Sequence, residues 1–339
     1  MLIRTFNSNK AGLLMLMPAI ALLLWLYTFF NSPVSFSSDL SMAGPLGRLL
    51  AFSVSAKPVI SSVLACGIIL LYGYFLVQIN GSLLFLQTRS QMPQFFYIVI
   101  AGGLFWLRYL SPAMMATLFV IIMIARIFQS FKKDKLTYHF LDAGIFLSIA
   151  VLIYYPAVFF FPVLLIALFL FRNTVWQEWF YPWIGFFLPA LFWGSYLFLT
   201  DQPLNLIGEE LRNAFVSSGR AYDFSAVQLA YYGYLALLVV IGSFHMIRTI
   251  GMQNIQSRVF FIFFFWLFVL SLITMIINAS AAQVTIYIGG ISLAYLLSYY
   301  FSSCKNNRFN NLLLFIMIAG IILVAVDEWF NIVPGTYSF

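Results

Sequence analysis

The chain has 339 residues, 63% of them hydrophobic and 8% charged, with a mean hydropathy of +0.98, whereas ordinary soluble domains are about 45–50% apolar and about 25% charged. A water-soluble fold is excluded. Lys and Arg number 17 against 10 Asp and Glu, a net charge of +7, but the basic residues stand singly between apolar runs, a pattern of membrane orientation that excludes a nucleic-acid footprint.

A bilayer core about 30 Å thick takes roughly 17–25 helical residues, fewer where snorkelling cations and interfacial aromatics finish the span. On that rule the sequence predicts an all-α polytopic membrane protein of about eleven transmembrane helices, one domain over 1–339 with no separate soluble domain. Leu13 to Phe30 follows Arg4 and Lys10 as a signal peptide would. Its apolar core exceeds the usual 7–15 residues or so and no small-x-small site precedes Pro33, so it reads as a retained anchor. The outer stretch Asn31 to Pro58 carries Leu46, Leu49 and Leu50 behind Pro45, with Arg48 off that stripe. Spans follow at Val59 to Val77, Phe95 to Leu110 and Pro112 to Phe128.

Ala143 to Phe171 is one broken helix or two short ones turning at Tyr155-Pro156. As one helix its roughly 29 residues would reach about 43 Å, too long without strong tilt. Basic residues decide between them. With a hairpin, Arg4, Lys10, Arg89, Arg126, Lys132, Lys133, Lys135, Arg172, Arg248, Arg258, Lys305 and Arg308 share the amino-terminal side, opposite Arg48, Lys57, Arg108, Arg212 and Arg220. A single helix would nearly equalise the two sides and erase the positive-inside bias. The hairpin reading puts the amino terminus in the cytoplasm and the carboxyl terminus outside. Asp39, Asp201, Glu209, Glu210, Asp223, Asp327 and Glu328 then fall outside, and Trp25, Trp106 and Trp329 near outer ends, with Trp176, Trp179 and Trp183 near an inner one.

The remaining spans are Phe180 to Leu199, Gln228 to Ile247, Val259 to Ile277, Ala282 to Phe301 and Leu312 to Val326. Between the first two lies Thr200 to Val227, where Leu204, Ile207, Leu211 and Phe215 recur at helical spacing with Glu209, Glu210, Arg212 and Asn213 off the stripe. This piece and the one behind Pro45 either roof an outer-leaflet cavity or rest on the membrane as connectors.

The chemical inventory excludes more than it offers. Cys66 sits in an apolar run and Cys304 in a polar turn, so no bridge joins them. His139 and His245 have no paired spacing, which rules out a polyhistidine metal site, and no nucleotide-cradle, zincin or hydrolase-elbow motif occurs. No cofactor or metal is expected. Ion-coupled carriers place ionisable residues near the bilayer midplane. Here Arg108, Arg126, Asp142 and Glu178 all lie near span ends, where snorkelling accounts for them. Helix breaks at Pro156, Pro162 and Pro189 leave a facilitator-type transporter open as an alternative.

From Phe140 to Trp183, with Phe171, Arg172, Trp176, Glu178 and Trp179 forming a "phenylalanine-arginine, short aromatic turn, glutamate-tryptophan" element behind a short hairpin, the chain resembles an uncharacterised multi-spanning family of Bacteroidota envelope proteins. Gln87 to Gly102 is similar to that family's segment before its third span. Some members carry a carotene-oxygenase label, but such oxygenases resemble a four-histidine iron propeller, which two histidines and eleven helices contradict. More remotely, the short first outer loop, the paired short spans and the helix with Ala143, Gly144 and Pro156 are similar to membrane glycosyltransferases of the GT-C class. That resemblance implies a bacterial inner-membrane protein that binds or processes a polyprenyl-phosphate-linked sugar in a cavity open to the outer leaflet. It also implies an acid in the first outer loop as general base or acceptor-orienting group, and Asp39 is the one acid there.

Neutralising a lipid phosphate requires cations, and Arg48, Lys57, Arg108, Arg212 and Arg220 are the outer ones. On the cytoplasmic rim Arg172, Trp176, Glu178 and Trp179 suit docking of a partner protein or of headgroups, and Lys132, Lys133 and Lys135 suit acidic lipid. The expected partners are therefore membrane lipids, a polyprenyl-phosphate-sugar and other envelope membrane proteins. A non-enzymatic subunit or scaffold of an envelope or secretion complex is the second reading.

Overall fold

Prolines and serines fix where several helices begin. In the computed structural model, which describes residues 11–30, 42–54, 58–86, 90–103, 107–131, 138–171, 176–201, 208, 212, 223–278, 281–303, 308–330 and 336–338, twelve α-helices follow one another. They are α1 Ala11–Phe30, α2 Pro45–Val54, α3 Pro58–Leu83, α4 Met92–Gly102, α5 Pro112–Gln129, α6 His139–Ile153, α7 Phe161–Phe171, α8 Phe180–Leu199, α9 Ala226–Thr249, α10 Ile255–Ile277, α11 Ala282–Ser303 and α12 Arg308–Phe330. A 3-10 helix, Tyr155–Phe160, leads into α7, and another, Trp176–Trp179, into α8. Pro45, Pro58, Pro93 and Pro112 stand in first turns, where the missing N–H is not needed. The Ser111 hydroxyl accepts from Met114 N at the start of α5, and Ser225 and Gln228 cap α9 reciprocally. Two three-residue strands, β1 Asp223–Ser225 and β2 Thr336–Ser338, pair antiparallel beside the start of α9.

Among the described residues, seven helical stretches are long and apolar enough to cross a membrane: Val59–Leu83, Pro112–Gln129, Phe180–Leu199, Ala226–Met252, Ile255–Ile277, Ala282–Ser303 and Arg308–Asp327. Leu16–Phe30, Met92–Gly102, His139–Ile153 and Tyr155–Phe171 are apolar but shorter. The chain is thus a helical, multi-pass membrane protein. Each apolar segment read from the sequence contains a helix. The third departs from its expected bounds, since α4 stops at Gly102 and the next α-helix begins at Pro112. Two successive glycines weaken the helix there, and Pro112 forbids its continuation through that point.

Helix directions follow from the contacts. Arg126 lies 3.9 Å from Asp142 and Phe119 stacks near Phe146, so α5 and α6 are antiparallel. Gly144 abuts Pro182 and Gly185, and Leu152 shares a groove with Pro189 and Phe192, so α6 and α8 are parallel. The chain therefore reverses between them at the extended Tyr154, and α7 brings Phe171 back beside Phe128, centroids 5.5 Å apart. This turn is clasped from outside, with Gly44 N donating to Ile153 O at 2.9 Å and Tyr155 N donating to Met42 O at 3.2 Å. A Cβ at Gly44 or Gly47 would collide with the carbonyls of Leu152 or Ile153. The end of the bundle where α1 starts is here called the near end, and the opposite one the far end.

At the centre lie α4, buried along its whole length, and α11, buried over 89% of its membrane-length window. Phe85 sits among Phe128, Phe260, Phe261, Phe264 and Tyr295 at centroid distances of 5.1 to 6.1 Å. Buried tyrosines then bond helix to helix through the main chain. The hydroxyls of Tyr72, Tyr287 and Tyr295 donate to the carbonyls of Met114, Leu107 and Leu76 at 2.5, 2.6 and 2.8 Å. Each such bond satisfies a hydroxyl whose burial without a partner would cost about 1–3 kcal/mol.

Candidate functional site

Of the outer cations expected to meet a lipid phosphate, Arg108 has the most constrained setting. It is fully buried. Beyond the end of α4 the chain folds back, and the guanidinium covers the carbonyls that this helix leaves without partners: Nε donates to Gly102 O at 2.7 Å and Nη2 to Gly103 O at 3.3 Å. The Trp25 ring lies 6.0 Å from the guanidinium carbon, and its Nε1 donates to Arg108 O at 2.9 Å. Arg108 is therefore a helix cap inside the protein. Snorkelling, which the sequence suggested, does not occur, because the residue lies past the helix end and points inward.

Arg48 is placed differently. It projects from α2 as an exposed side chain whose Nε donates to Ala43 O at 3.1 Å. Below it runs a groove of about 880 Å³ between α2, the end of α6 and the far half of α8, lined by Pro45, Leu46, Leu49, Leu152, Pro189, Phe192, Trp193 and Tyr196. Trp193 and Tyr196 stack on each other, centroids 5.3 Å apart. The groove is apolar except for its cationic head, and its size falls in the range of about 300–1,000 Å³ typical of small-molecule sites. Gly44 and Gly47 hold α2 close enough to α6 for Arg48 to stand there. The amphipathic piece behind Pro45 is thus docked on a turn of the bundle.

At the near end the rim residues separate. Glu178 is buried, while Trp179 is exposed beside the exposed Trp183, whose ring packs 4.5 Å from Phe161. Trp176 begins the short 3-10 helix before α8. Arg212, exposed, is one of four residues described in the stretch between α8 and β1, with Thr200, Asp201 and Gly208. Asp39, Lys57, Arg172 and Arg220, with Lys132, Lys133 and Lys135, lie outside the described residues. The arrangement thus brings no two of the five expected outer cations together among the described residues.

Sequence reasoning missed Asp327. It reads there as an outer-loop acid, yet it lies in α12, 5% exposed, with Oδ2 accepting from Ser225 Oγ at 2.6 Å. No local pattern announces this, because the partner is 102 positions away in the chain. No group of three or more His, Cys, Asp or Glu suited to a metal ion occurs among the described residues.

Residues 48–332 match a family described as a family of unknown function, DUF6427. No curated protein and no solved structure matches the chain.

Proposed function

Because the chain belongs to the DUF6427 family, whose function is unknown, we propose from its own geometry that it holds a polyprenyl-phosphate-linked sugar at the outer leaflet of a bacterial inner membrane. In this reading the chain crosses the bilayer eleven times in a GT-C-like arrangement, the far end of the bundle faces outward, and the groove under Arg48 takes the lipid. The observation that carries it is an exposed cation at the head of an apolar groove walled by Phe192, Trp193 and Tyr196. An anionic headgroup pairs with the guanidinium while the isoprenoid chain lies along α8, whose other neighbour is the bilayer itself. Whether the bound lipid is only held or also turned over depends on an acid at the same end, for which Asp39 is the candidate.

The test is retention of a photoactivatable polyprenyl phosphate by the purified full-length protein. Removing one charge-assisted hydrogen bond, worth about 1.5–3 kcal/mol, should weaken retention about tenfold or more in Arg48→Gln. Unchanged labelling, or labelling that does not map to α2 and α8, overturns the reading. Catalysis is tested separately by Asp39→Asn, with an unaltered envelope glycan profile at normal protein level removing it. Exposed Trp179 and Trp183 favour a second reading, docking of a membrane partner at the near end. A stoichiometric partner lost on Trp179→Ala would support that one.

A further inference from the structure

At the near end, positive charge gathers with nothing to oppose it. From Phe224 to Val326 the sequence holds no Asp or Glu, and its four basic residues, Arg248, Arg258, Lys305 and Arg308, all stand where α9, α10, α11 and α12 meet that end. Lys305 lies outside the described residues, and the other three are exposed. None of these three forms an ion pair among the described residues. Arg258 lies in the first turn of α10 and Arg308 opens α12, and neither first turn carries an acid. At such positions the helix macrodipole adds to a positive charge and does not offset it.

Packing around the end of α11 joins the three cations into one patch. Phe261, a turn after Arg258, packs on Tyr299 with centroids 4.4 Å apart. The Tyr299 hydroxyl shares a hydrogen bond of 2.8 Å with Thr249 Oγ1, next to Arg248. His245, a turn before Arg248, packs on Tyr300 at 5.4 Å. The Tyr300 hydroxyl in turn donates to Asn310 Oδ1 at 3.1 Å, two residues from Arg308. Apolar side chains stand uncovered between the charges. Phe244, whose ring lies 5.6 Å from the Arg248 guanidinium carbon, is 62% exposed, and Met252 at the α9–α10 turn is 88% exposed.

We propose that the near ends of α9, α10 and α12 form a site for an anionic phospholipid of the leaflet at that end. Charge complementarity selects the headgroup, because a phosphate diester without its own ammonium meets three cations and no carboxylate. The exposed Phe244, Ile247, Ile255 and Phe309 select a lipid over a soluble anion, since acyl chains cover them while the phosphate stays at headgroup depth. The site lies at the opposite end of the bundle from the Arg48 groove and uses none of its residues. It requires no particular orientation of the chain across the bilayer.

The experiment titrates full-length protein in a neutral detergent with phosphatidylglycerol and, separately, with phosphatidylethanolamine of the same acyl chains, counting bound lipids by native mass spectrometry. The wild type should bind phosphatidylglycerol at least about tenfold more tightly. Replacing Arg248, Arg258 or Arg308 by Gln should weaken that lipid about fivefold each, and the triple variant should bind both lipids alike. Melting temperatures should not change, because these side chains are exposed and hold no ion pair. Arg126→Gln, which removes a charge from the same end, and Arg48→Gln should leave the preference intact. Equal binding of the two lipids by the wild type overturns the proposal, as does a preference that survives the triple variant. An equal loss in Arg126→Gln overturns it in favour of net charge alone, and displacement of the lipid by equimolar glycerol 3-phosphate overturns it in favour of a soluble phosphate.

Discussion

Helices α8 and α11 have the same mean hydropathy over their membrane-length windows, yet 17% of α8 is buried against 89% of α11. Apolarity alone therefore does not place a helix in this bundle. The difference lies in which small and hydroxylated residues each carries. In α11, Gly289 and Gly290 admit Ser271, Ile100 and Tyr97 to the backbone, and Tyr287 and Tyr295 reach out to carbonyls on other segments. In α8 the sequence is mostly Phe, Leu and Trp, and Gly194 faces open space. Between helices in lipid, close approach and hydrogen bonding draw segments together, while bulky hydrocarbon is as content against lipid tails.

Breaking the core side of this comparison should have the largest effect. Tyr295→Ala removes a ring that stacks on Phe264 at 4.4 Å and a hydroxyl bonded to Leu76 O, and should destabilise by about 3–5 kcal/mol, read as thermal unfolding of the full-length protein in detergent. Next comes Gly185→Ala, which tests the one place where α8 behaves like α11. Its added Cβ would collide with the Leu141 carbonyl, so a loss of about 1–3 kcal/mol is expected. A neutral result would mean that α6 and α8 are held by something other than this backbone contact. Tyr287→Phe keeps the ring and deletes the bond to Leu107 O; about 1 kcal/mol should be lost. Smallest is Phe198→Ala, at a position 71% exposed on α8, expected to change stability by no more than about 0.5 kcal/mol. If it costs as much as Tyr295→Ala, then α8 is covered by protein and not by lipid.

The same distinction explains what could be read before the structure. Segment positions were legible because hydrocarbon length is a property of single runs, and so α3, α5, α8 and α10 fall where apolar counting puts them. The reversal after α6 was legible from charge, since Lys and Arg record sidedness. The end of α4 was only half legible: Gly102-Gly103 and Pro112 signal a stop, but the length rule carried the span on to Leu110. Nothing local shows that Arg108 turns back onto the carbonyls it follows, or that Asp327 finds Ser225. Of the site, Arg48 was legible as a charge off an apolar stripe, whereas the Trp193 and Tyr196 wall beneath it depends on α2 docking against α6 and α8.

Because α4 stops inside the bundle, main-chain groups of the segment after it are served by elements made much later. Leu107 O waits for Tyr287, which the ribosome delivers 180 residues afterwards, and the Tyr295 hydroxyl that ties α11 to Leu76 O on α3 comes 219 residues after its partner. The first third of the chain is thus unfinished for most of translation. Its biogenesis calls for an insertase or a neighbouring helix that shelters α4 and α5 until α11 arrives, and a nascent chain halted before α11 should be the form that quality-control proteases remove fastest.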